Sequence, residues 1–85
     1  MDIREFITEA LYKVKNEYIL SGEYTPIEGQ YYLYNYVYDI TSAIAEHDET
    51  QGLTTIKIKV KDGESTAIIS EVYCRDGTLE EVYTE

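Results

Sequence analysis

The sequence predicts an α+β fold, with two helices packed on one face of a three-stranded antiparallel β-meander in the order ααβββ. Three observations predict it. A helical apolar stripe fills the first twenty residues. A second helix start stands at Thr25-Pro26-Ile27-Glu28. Two Asp-Gly pairs punctuate an alternating C-terminal third. At 85 residues the chain reads as one small domain over 1–85.

From Met1 to Leu20, residues Ile3, Phe6, Ile7, Ala10, Leu11, Val14 and Tyr18 recur at the i, i+3, i+4, i+7 spacing of one helix face. Asp2 and Glu5 have capping-box spacing, with Asp in place of Ser or Thr. Arg4, Glu5, Thr8, Glu9, Lys13, Asn16 and Glu17 fall on the outer face, and Glu9 and Lys13 form an i, i+4 pair. Ser21-Gly22 supplies the stop.

Thr25 is a good N-cap, Pro26 suits the first helical position, and Glu28 sits at the third. The stretch that follows, YYLYNYVYDI, carries two patterns. Its tyrosines favour a strand. Leu33, Tyr36, Val37, Ile40 and Ile44 have helical spacing that runs on through Ala43, Ala45 and Glu46. The length of that run predicts a helix over 26–47. The rival is a strand at 30–38 followed by a short helix.

Asp48 to Gly52 is a polar connection. Thr55 to Lys61 alternates, with Ile56, Ile58 and Val60 on one face and Lys57, Lys59 and Lys61 on the other. Asp62-Gly63 and Asp76-Gly77 predict two-residue hairpin turns joining strands at 55–61, 65–74 and 78–84. Such turns would pair Ile56 with Ile69, Ile58 with Ala67 and Glu71 with Val82. The face bearing Ile56, Ile58, Val60, Ala67, Ile69, Tyr73 and Val82 should receive the helices.

The composition excludes more than it selects. Seven basic residues stand against 17 acidic ones, for a net charge of −10, which argues against direct binding of nucleic acid or anionic lipid. No apolar run approaches a membrane span and the opening MDIREF lacks a signal-peptide pattern, so a cytoplasmic protein is expected. One Cys, Cys74, and one His, His47, cannot frame a metal site. Asp48-Glu49 with Glu46 lacks the ligand alternation and central Gly of a calcium loop. The scattered glycines form no phosphate loop. No catalytic residues, metal or cofactor are expected.

The charge and the tyrosines remain. Acidic side chains on a helix repeat on a scale comparable to DNA phosphates, so an acidic face can occupy a basic cleft in place of nucleic acid. The candidate partner-binding acids are Glu5, Glu9 and Glu17 on the first helix, Asp39 and Glu46 on the second, and Asp48 and Glu49 after it. Ten tyrosines accompany one Phe and no Trp. On a helix over 26–47, Tyr31, Tyr34 and Tyr38 would share a flank suited to protein contacts.

In size, charge, tyrosine content and lack of catalytic groups, the chain resembles the acidic DNA-mimic and anti-defence inhibitors of phages and mobile elements, anti-restriction and anti-CRISPR proteins among them. That resemblance implies a basic, nucleic-acid-handling protein as partner, held by electrostatic steering and groove occlusion. The alternatives are an immunity protein or antitoxin that neutralises a basic nuclease, and a structural or regulatory homodimer with the tyrosine flank as its seam.

Overall fold

The computed structural model describes residues 2–15 and 25–85. One helix, α1 (Ile3–Lys15), precedes six strands: β1 (Thr25–Pro26), β2 (Gln30–Leu33), β3 (Tyr36–Asp48), β4 (Leu53–Asp62), β5 (Ser65–Tyr73) and β6 (Leu79–Thr84). They form one antiparallel sheet in the order β1-β3-β4-β5-β6, with β2 also paired to β3. The fold is therefore mostly β, a curled half-barrel with one helix, and not two helices on a three-stranded meander.

The first helix forms for the reasons its sequence gives. The Asp2 carboxylate accepts from the Arg4 N–H at 2.8 Å, satisfying one of the donors left over at a helix start. Ile3, Ala10 and Val14 are buried, Phe6, Ile7 and Leu11 half-buried, and Arg4, Glu5, Thr8, Glu9 and Lys13 exposed. Glu9 and Lys13 approach to 3.9 Å. The expected continuation through Glu17 and Tyr18 to Ser21-Gly22 lies outside the described residues.

The expected helix over 26–47 is replaced by the β2–β3 hairpin, and the rival of one strand at 30–38 followed by a short helix fails too, because the chain reverses at Tyr34-Asn35 and β3 runs on to Asp48. Leu33 pairs with Tyr36 across a two-residue turn, Tyr34-Asn35. A bulge then interrupts β3 between Ile40, opposite Val60, and Ser42, opposite Lys59. The extra residue reverses the alternation. Tyr36, Tyr38 and Ile40 face inward before it, and Ala43, Ala45 and His47 after it. A three-residue step from Ile40 to Ala43 on one face is what imitates a helix in the sequence.

The meander over β4, β5 and β6 is present, with two changes of register. Asp62 pairs with Ser65, so the first turn is Gly63-Glu64, and Ile58 faces Ile69 while Val60 faces Ala67. This displaces the expected pairing by two residues, which leaves every side chain on its expected face. The second turn has three residues, Arg75-Asp76-Gly77. The Gly77 N–H donates to the Cys74 carbonyl, and Gly77 takes a φ of 92° that favours glycine. A bulge beyond Tyr73–Leu79 absorbs the added residue, and Glu71 pairs with Val82 as expected.

The core lies between α1 and the inward face of the sheet. Ile56, Ile58 and Val60 are fully buried there, with Ile69, Ala43, Ala45, Ile40 and Ile27 around them and Ile3 and Ala10 above. Val82, expected on that face, is 37% exposed at the sheet edge.

Candidate functional site

Two groups of polar side chains stand out, one inside the curl and one at its end. The inner group is built on Glu71, which alternation places between Ile69 and Tyr73 on the inward face of β5. Its side chain is buried. The Tyr31 hydroxyl donates to one carboxylate oxygen at 2.5 Å and the Tyr73 hydroxyl to the other at 2.8 Å. Tyr31 belongs to β2, three strand spacings from β5, at least roughly 14 Å in a flat sheet. The contact exists because the sheet curls. Burial, and then the hydrogen bond and charge of Glu71, push both phenols well above tyrosine's usual range. With both oxygens occupied, the carboxylate acts as a latch between the hairpin and β5.

The outer group is the end of the β2–β3 hairpin. Tyr36 to Tyr38 pair only with β2, since the β3–β4 ladder begins at Asp39–Lys61. The hairpin therefore overhangs the sheet. Tyr32 is 69% exposed, Tyr36 64% and Val37 54%, and Tyr34 at the turn is 94% exposed. The Tyr36 and Tyr38 rings stack with centroids 6.2 Å apart. Tyr34 has a φ of 56°, in the left-handed region that a bulky side chain adopts only at a cost. Glu28, Gln30 and Tyr32 line a shallow crevice with Asp2 and Arg4 at the start of α1, and Asp39 sits across from Gln30.

The residues expected to bind a partner do not form one surface. Of the three tyrosines, Tyr31 and Tyr38 are half-buried against the core and Tyr34 stands at the hairpin tip, so the helical flank that would join them does not exist. Glu5 and Glu9 are exposed on α1, and Glu17 lies outside the described residues. Asp39 is exposed opposite Lys61, and Glu46 pairs with Lys57 at 3.4 Å, so the lysine strand partly neutralises Glu46. Asp48 accepts from the Thr50 and Gln51 N–H groups and shapes the β3–β4 turn, where Glu49 is exposed.

Tyr32 and Tyr36 escape sequence reasoning because a helical flank drawn through Tyr31, Tyr34 and Tyr38 leaves them out. A hairpin turning at Tyr34-Asn35 signals them instead, since both then lie on its overhanging end. Glu71 is signalled too, by its place between two inward residues.

His47 lies on β3 and Cys74 just past the end of β5. His47 Nδ1 lies 3.1 Å from the Thr54 hydroxyl. Desolvation, and then Glu80 and Asp76, push the Cys74 thiol up and away from the thiolate a nucleophile requires. Among the described residues there is no group of three or more His, Cys, Asp or Glu placed to hold a metal, and no helix is long and apolar enough to cross a membrane. No protein-family model, curated protein or solved structure matches the chain.

Proposed function

We propose that this chain is a small acidic inhibitor that binds a basic, nucleic-acid-handling protein and blocks its nucleic-acid site, with the β2–β3 hairpin as its principal contact. The observation that carries the reading is Tyr34, 94% exposed at the hairpin tip with a φ of 56°. Glycine would relieve that backbone, so tyrosine at this position serves something other than folding. Tyr36 on one face of the hairpin, and Tyr32 and Val37 on the other, add exposed apolar area beside it.

Tyrosine offers rigid area with a polar tip, and its ring face attracts Arg and Lys. Glu28 and Asp39 flank the hairpin and Glu5 lies on the neighbouring helix surface, all exposed. The net charge of −10 would steer the chain to a basic groove, and the hairpin would hold it there. The chain acts in this reading by occlusion, with no chemistry of its own. The same surface would serve against a basic nuclease toxin, and the identity of the partner separates an anti-defence inhibitor from an immunity protein.

The test is capture on the immobilised chain from a nuclease-treated lysate of the source cell. A basic nucleic-acid-binding protein should be retained by the wild type and lost with Tyr34→Gly and with Tyr36→Ala. Retention unaffected by both substitutions would refute the role of the hairpin.

A further inference from the structure

The free edge of β6 is the second surface that the fold leaves open. β6 ends the strand order, all six of its residues are exposed, and among the described residues no strand pairs with its outer edge. The Glu85 N–H donates to the Ile68 carbonyl at 2.8 Å, which makes Ile68–Glu85 a hydrogen-bonded pair of the β5–β6 ladder. In an antiparallel ladder such pairs alternate. Tyr83 and Glu81 therefore spend their backbone groups on β5, opposite Ser70 and Val72, while Val82 and Thr84 point theirs outward.

The charges on this edge differ from those inside the sheet. On the outward face of β3, Glu46 meets Lys57, and Asp39 lies opposite Lys61. On the same face of β6, Glu81 lies opposite Val72 and Glu85 follows Tyr83, with no cross-strand lysine for either. Residues 76–85 carry Asp76, Glu80, Glu81 and Glu85 and no Lys or Arg. A second copy of this chain would bring the same acids to the same edge.

We propose that the β6 edge takes an extended segment of a basic protein as an added strand. The segment's backbone pairs with Val82 and Thr84. Its cations, four residues apart, face Glu81 and Glu85, an apolar or aromatic residue between them covers Tyr83, and apolar residues on the other face cover Val82. Backbone pairing supplies the affinity of such strand addition and the alternating side chains its specificity. Glu81 and Glu85 are roughly 13 Å apart along the strand, which excludes adjacent cations as the preferred pattern. The proposal shares with the functional reading above only the sign of the partner's charge.

The probe is the peptide acetyl-TKVYVKT-amide, titrated into the isotope-labelled chain and followed by amide chemical shifts and hydrogen exchange. Binding should slow exchange at Val82 and Thr84. It should weaken at least tenfold when both peptide valines are N-methylated, when both lysines are replaced by glutamate, and in the Val82→Pro variant. Val82→Pro leaves the β5–β6 ladder intact, because the proton it removes points outward. Glu81→Lys with Glu85→Lys should reverse the preference between the lysine and glutamate peptides. Equal binding of the N-methylated peptide would overturn the proposal. So would a dimer of the chain that protects Val82 and Thr84 without peptide. Tyr34→Gly should leave peptide binding unchanged. A lysate partner retained by that variant counts against the hairpin alone, and failure of the peptide against the β6 edge alone.

Discussion

Replacing Tyr34 by glycine should stabilise this protein while weakening its binding, a combination that few substitutions produce. The left-handed backbone costs an ordinary L-residue roughly 1–2 kcal/mol. Glycine relieves that cost but loses more freedom on folding, about 0.5–1 kcal/mol relative to alanine. Tyr34 is 94% exposed, so its side chain contributes almost no burial that the substitution could remove. The two ranges leave a net gain of between about 0 and 1.5 kcal/mol. For a domain of this size the midpoint, about 0.75 kcal/mol, raises Tm by roughly 3–6 °C. Urea denaturation followed by circular dichroism, with an unchanged slope and a higher midpoint, is the assay. Paired with loss of partner capture, the result would show that Tyr34 is retained against the interest of stability. A destabilised Tyr34→Gly protein would refute the argument, because it would mean that the tyrosine holds the turn together.

Other outcomes follow from the core and the latch. Tyr31→Phe should cost about 1–2 kcal/mol by removing a hydrogen bond to a buried carboxylate, and it should speed amide exchange in the hairpin. Tyr73→Phe should cost a similar amount without freeing the hairpin, since Tyr73 and Glu71 share one strand; indistinguishable hairpin exchange in the two variants would show that the latch does not span the sheet. Ile58→Ala, at a site with no solvent exposure, should cost about 2–5 kcal/mol in chemical denaturation, and a loss below about 1 kcal/mol would place the core elsewhere. Tyr31 and Tyr73 have raised phenol pKa values in the folded state. The stability linked to them is intact below pH about 10, the unfolded value, and is lost as pH rises above it. Tyrosine absorbance and unfolding monitored together should show their late ionisation coinciding with alkaline denaturation.

The parts of the fold legible in the sequence are those where one period holds without interruption. The stripe from Ile3 to Val14 and the alternation from Ile56 to Val60 needed no outside information, because each element buries one regular face. Glu71 against Val82 was legible as a pair although its turn was not: the longer Arg75-Asp76-Gly77 loop and the bulge before Glu81 shift the register in opposite directions. The β2–β3 hairpin was misread because of the bulge at Thr41. Its hydroxyl donates to the Lys59 carbonyl at 3.0 Å, and the extra residue moves the inward set from even to odd positions. The resulting spacing of Ile40 and Ala43 has the arithmetic of a helix, and the strand preference of the tyrosines was the better guide. The acidic candidates among the described residues were legible as exposed, but the pairing of Glu46 with Lys57 depends on strand register. Tyr34 at a positive φ could not be read at all, since the turn it occupies belongs to glycine by preference.

The most direct test of the central claim is displacement of a labelled oligonucleotide from the captured partner by this chain, read by fluorescence anisotropy at increasing salt. The account predicts complete displacement at low salt by the wild type, weaker displacement as salt rises, and loss of displacement with Tyr34→Gly. A partner that binds this chain and the oligonucleotide together, with an affinity indifferent to salt, would contradict it.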